Sequence, residues 1–77
     1  MNAERRKQIE AVLDELERKT FAIEDLENEE QEYYDAMPDS IRDGEKGDKA
    51  QEAIDALVAA KDAVNEAIDY LREAMES

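Results

Sequence analysis

The 77-residue chain contains no cysteine, no histidine and no tryptophan, and only one proline and two glycines. Without cysteine there is no disulfide, no thiolate metal site and no cysteine nucleophile, and nothing ties folding to an oxidising compartment. Without histidine, most nucleophile–base pairs, most zinc sites and histidine-dependent di-iron bundles are excluded. Basic residues are scarce too: 10 against 23 acidic ones leave a formal net charge of −13. Such a chain repels nucleic acid and anionic membranes, so neither is expected as a direct partner. A cationic protein, or plain self-solubilisation, is the natural expectation. Long apolar runs are missing, and the first residues carry no apolar signal segment, which leads us to expect a cytoplasmic protein.

What is present is periodicity. The 43% charged content approaches that of disordered chains, but the apolar residues recur at helical spacing. From residue 45 to 76 they form a column of Ala50, Ile54, Leu57, Val64, Ile68, Leu71 and Met75, broken only by Lys61. Steps of three and four place these on one helix face. A second column, Asp48, Glu52, Asp55, Asp62, Glu66, Asp69, Glu73 and Glu76, is acidic with Ala59 as its one gap. Like charges at that spacing cost a helix about 0.2–0.5 kcal/mol per pair, so the acidic column opposes helix stability. Ala53, Ala60, Ala67 and Ala74 recur every seven residues beside the apolar column, with Ala56 and Ala63 further round. Alanine offsets part of the repulsion through helix propensity and lets another backbone approach closely.

The first helix is expected over about residues 3–37, with Asn2 as N-cap and a stripe of Ile9, Val12, Leu13, Leu16, Ile23, Leu26, Tyr33 and Met37, with polar breaks at Lys19 and Glu30. Pro38 stops it, because proline disfavours helical geometry in the preceding residue and has no amide hydrogen. A turn over about 38–43 leads to a second helix over about 44–76, with Asp43 as the expected cap and Gly47 in its first turn. So short a connection forces an all-α, antiparallel, coiled-coil-like two-helix hairpin, a long thin rod. Ile41, the one aliphatic residue of the turn, is expected to plug the hairpin end beside Tyr33, Met37 and Ala50. Lys61 should lie opposite Glu24 or Glu27 and specify register. One hairpin buries little, so two are expected to pair as a homodimer in a four-helix bundle.

Candidate chemistry is sparse. Carboxylate pairs abound, but acid–base hydrolysis needs two across a cleft, and a thin rod offers none, so no enzyme is expected. Asp39, Asp43, Gly44 and Glu45 superficially resemble a calcium loop. With Gly44 at its sixth position, Ile41 and Ala50 occupy the third and twelfth, where ligands are required; this is a turn with helix caps. No metal and no cofactor is expected. Between Thr20 and Ile41 there is no basic residue but eight carboxylates, whereas Arg5, Arg6, Lys7, Arg18 and Lys19 crowd the N-terminal third. Cations at a helix N-terminus oppose the macrodipole; the plain reading pairs Arg5 to Lys7 with Glu73 and Glu76 of another subunit. Tyr33 is expected in the core. Tyr34 is expected half-exposed on the shoulder as a possible aromatic contact, with Phe21 outside.

The run Glu29–Asp55, EEQEYYDAMPDSIRDGEKGDKAQEAID, resembles a group of small, mostly uncharacterised helical proteins encoded by bacteriophages and prophages. The likeness rests on Glu29–Tyr33, Met37–Pro38–Asp39, Glu45–Lys46–Gly47 and Ala50–Leu57, about a third of the chain. It implies a phage accessory protein acting in the cytoplasm of a bacterial host and supplies no catalytic residue.

Three expectations follow. The first is an interaction protein that inhibits a host defence or nucleic-acid-binding protein by presenting carboxylates in place of phosphates. The residues expected to carry it are Glu24, Asp25, Glu29, Glu32 and Asp35 on the first helix, and Asp48, Glu52, Asp55, Asp62, Glu66 and Asp69 on the second. The second is a structural or assembly coiled coil whose acidic face only solubilises. The third is an oligomer that sequesters a nucleotide signal at its interface; the lack of basic residues near the turn argues against it.

Overall fold

A computed structural model describes residues 1–77 as an all-helical chain of three elements: α1 (Ala3–Asp35), α2 (Asp39–Arg42) and α3 (Glu45–Glu76). The two long helices pack antiparallel along a rod of 58 × 15 × 11 Å, and α2 lies in the connection against α3. No helix is long and apolar enough to cross a membrane.

α1 starts where its cap allows. The Asn2 side-chain oxygen accepts the Arg5 amide at 2.7 Å, satisfying one of the donors a helix N-terminus leaves open. It ends at Asp35, two residues before the expected limit. Pro38 disfavours helical geometry at Met37, so the last turn tightens, with the Met37 amide donating to the Tyr34 carbonyl at 3.2 Å. Released from the helix, Met37 turns inward and is buried.

The connection is a further helical turn, where a loop was expected. The amides of Ile41 and Arg42 both donate to the Pro38 carbonyl, each at 2.9 Å. Asp43 is not the cap of α3: it keeps helical angles and closes α2 by donating to the Asp39 carbonyl at 3.0 Å. Gly44, in extended geometry, takes the N-cap position and has no side chain to cap with. Met37, rather than Ile41, plugs the hairpin end. Ile41 lines a shallow depression with Tyr33 and Met37 and stays 42% exposed, because the α2 turn holds it at the rim. Gly47 is buried inside the first turn of α3 because α2 crosses there: a Cβ would lie 1.7 Å from the Arg42 carbonyl oxygen.

On α3 the seam runs as the sequence implies, burying Ala50, Ile54 and Ile68 with Leu57, Val64, Leu71 and Met75 half-buried. On α1 it differs. Leu13 is buried, while Val12, Leu26 and Tyr33 are 44, 52 and 53% exposed. Each of these three precedes a seam residue by one, which turns it about 100° away round the helix. The α1 seam steps Ile9, Leu13, Leu16, Thr20, Ile23, Glu27, Glu30, Tyr34, Met37, with Glu27 in place of Leu26, Tyr34 in place of Tyr33, and a polar break at Thr20 rather than Lys19. Two polar seam members find partners: the Thr20 hydroxyl donates to the Leu16 carbonyl at 2.9 Å, and Lys61 Nζ donates to Glu27 Oε2 at 3.2 Å. The Lys61–Glu27 pair is the expected one, and with side chains 23 and 18% exposed it is partly desolvated.

Gly47→Ala is expected to destabilise the hairpin by about 2 kcal/mol despite alanine's better propensity, because backbone must move to admit the methyl. Gly44→Ala, whose Cβ meets nothing closer than 3.5 Å, should stay within a few tenths of a kcal/mol; thermal melts of both variants check this. Lys61→Ala should cost roughly 1–3 kcal/mol by leaving Glu27 unpaired, whereas replacing Lys61 and Glu27 together by leucine should be neutral or stabilising in urea titrations.

Candidate protein-interaction surface

The α3 seam dictates where the acidic column points. Asp48, Glu52, Asp55, Asp62, Glu66, Asp69, Glu73 and Glu76 are all exposed along the side of α3 turned away from α1, save that Asp69 stands at its edge and borders the depression beside Glu17 and Phe21. Within the molecule this charge is almost uncompensated. Only Asp69 has a cation within ion-pair distance, Arg72 at 3.9 Å, and Asp55 accepts a hydrogen bond from Gln51 at 3.0 Å. Eight carboxylates from Asp48 to Glu76 span ~42 Å at the helical rise, on average one every ~6 Å. A DNA strand carries a phosphate every ~3.4 Å of axis, so the ridge is a diluted version of that spacing.

The α1 acids do not join this ridge. Asp25, Glu32 and Asp35 are exposed on the outward side of α1, and in a two-helix rod the outward sides face opposite ways. Glu29 lies exposed on one flank, and Glu24 is half-buried on the other. Of the eleven residues expected to form one acidic surface, the fold brings six together, all on α3. Spacing alone did not show this: Asp25, Glu29, Glu32 and Asp35 of α1 also step by three and four, and it is the antiparallel packing that turns them away from the α3 column.

The aromatic expectation needs correcting. Tyr33, expected in the core, is exposed at 53%, while Tyr34 takes the seam position and is half-buried. The Arg42 guanidinium sits over the Tyr34 ring, 5.9 Å from its centroid, and also pairs with Asp39. Tyr34 is therefore engaged within the hairpin, and the exposed aromatics are Phe21, Tyr33 and Tyr70. They lie at separate places along the rod.

The basic N-terminal cluster also has a structural use that was not anticipated. Arg6 donates from Nε to the Met75 carbonyl at 3.2 Å, placing a cation on the unsatisfied carbonyl end of α3, where the helix dipole favours it. No ion pair forms within the chain between Arg5–Lys7 and Glu73 or Glu76.

The remaining relief is shallow. The largest depression is lined by Glu17, Thr20, Phe21, Ile68 and Arg72, among others. Its one cation, Arg72, is held by Glu17 at 2.8 Å, so no free positive group is offered to a nucleotide. No three acidic side chains converge as a metal-binding group. In comparisons with known proteins, no family model, no curated protein and no solved structure matches the chain.

An uncompensated acidic ridge strains the helix that carries it, so added salt should stabilise the protein. Between ~20 mM and ~0.5 M sodium chloride the melting temperature is expected to rise by about 5 °C as screening shortens the reach of the repulsion. A fall would show instead that attractive ion pairs dominate.

Proposed function

We propose that the chain is a small, non-catalytic interaction protein whose α3 ridge occupies the cationic groove of a nucleic-acid-binding protein. The observation that carries this reading is the ridge itself: exposed carboxylates along the whole outward side of one helix, nearly free of internal cations. Maintaining that column costs helix stability, and a solubilising surface needs no such alignment, since scattered charge of either sign serves as well. The likeness of the turn region to phage and prophage proteins supports a setting inside a bacterial host, with a defence protein or another nucleic-acid-binding protein as the target. The chain would act in the cytoplasm of that host and as paired hairpins in a four-helix bundle, which leaves the α3 ridges of both copies outward.

A second reading has its own support. Only four large side chains, Leu13, Met37, Ile54 and Ile68, are buried in the hairpin, a thin core for a chain of this length. That favours a coiled-coil module completed by assembly, in which the acidic face only solubilises.

The two readings separate by capture from bacterial lysate. A nucleic-acid mimic should retain basic nucleic-acid-binding proteins at low salt, lose them near ~0.5 M salt and lose them to competing duplex DNA. The triple variant Asp55→Lys, Asp62→Lys, Asp69→Lys should abolish capture with its helical circular dichroism unchanged. Retention that survives charge reversal, or no retention at all, removes mimicry and leaves the assembly reading.

A further inference from the structure

The two flanks of the hairpin are unlike. One carries the Arg72–Glu17 pair across the helices at 2.8 Å. The other carries no cross-helix ion pair. There the alanines of α3 lie beside Val12, Leu26 and Tyr33 of α1, all three about half-exposed. Lys19 lies on the same line of α1 and has no carboxylate within 4.0 Å in its own chain.

We propose that this alanine-rich flank is the surface on which a second copy of the chain docks, about a twofold axis that sets the two turns at opposite ends of the bundle. The proposal rests on the paired-hairpin reading above and specifies its face, direction and register. The argument is self-complementarity. When α1 packs antiparallel on α1 of the partner subunit about the level of Glu24, Leu26 faces Ala22 of the partner subunit. Lys19 then faces Glu29 of the partner subunit, and Tyr33 brings its hydroxyl to Glu15 of the partner subunit. The same axis crosses α3 between Lys61 and Asp62. There Ala60 meets Ala63 of the partner subunit. One axis, placed to pair Lys19 with a carboxylate, thus sets Leu26 against an alanine on α1 and alanine against alanine on α3, where small side chains let the backbones approach closely.

Charge selects this direction over the alternative with both turns at the same end. Residues 20–66, the half of the rod nearer the turn, hold 15 acidic and four basic residues; the other half holds eight acidic and six basic. Turns at the same end would stack the two strongly negative halves. Opposed turns lay each on the other copy's nearly balanced half, and like-charge juxtaposition across an interface is what specificity is built to avoid. The overlap covers roughly 700 Å² of each copy on a rod face 58 Å long and 15 Å wide, within the range of standard interfaces.

Three measurements test this. Sedimentation equilibrium at tens of micromolar should give twice the chain mass. A nitroxide on the Ser40→Cys variant, in the exposed turn, should then report a spin–spin distance near ~50 Å, the rise between the two turns in the opposed arrangement. Lys19→Glu alone should weaken the dimer roughly tenfold, and adding Glu29→Lys should restore it. The two residues stand about 15 Å apart along their own helix, so the rescue can only be between chains. A dimer with the turns within ~25 Å, or a charge swap without rescue, overturns this arrangement and leaves pairing itself standing. A monomer overturns both.

Discussion

The seam between α1 and α3 is two positions wide per seven residues, and the direction of every other side chain follows from it. Packing two helices at this spacing leaves no latitude: a side chain one residue off the seam points about 100° away and meets water. Aliphatic residues alone would leave several alignments nearly equal in energy. The half-buried Lys61–Glu27 pair removes that degeneracy, since a shifted register strands a charge in a partly dry place. At the closed end Gly47 acts similarly through volume, because only a hydrogen lets α2 cross so near the α3 backbone. At the open end Arg6 reaches the last carbonyls of α3.

A rod only two helices thick has consequences for its charge. Its helices turn their outward sides in opposite directions, so acidic residues on α1 and α3 cannot merge into one field within a single hairpin. The column on α3 becomes one ridge, and the acids of α1 face the other way. The same thinness leaves one flank with half-exposed Val12, Leu26 and Tyr33 against alanines. The acidic ridge and this alanine-lined flank thus lie on different sides of α3, and the assembly proposed on the second would leave the first open.

Much of this was legible because it depends on local rules. Asn2 caps because its oxygen reaches an open amide, Pro38 stops α1 because it disfavours helix behind it, and the α3 seam repeats without ambiguity. Lys61 could be matched to Glu27 because antiparallel pairing fixes what lies opposite. The α1 seam was harder to read because two lines compete there. Val12, Leu26 and Tyr33 are apolar but each precedes the true position by one, and the position after Leu26 is the acidic Glu27. Choosing by hydrophobicity therefore favoured the wrong neighbour, and exchanged the roles of Tyr33 and Tyr34. Arg42 over the Tyr34 ring and the close approach at Gly47 left no local signal, since both arise only once α2 folds against the long helices.

The sequence by itself determined the helices, their antiparallel order and the outward acidic column of α3, because helical periodicity and a proline-marked turn act over a few residues. Only the tertiary structure decided which α1 residues enter the seam, that Met37 rather than Ile41 closes the hairpin, and that the two sets of acids part company. Those outcomes depend on where a second helix lies in space, and spacing along one helix cannot supply that.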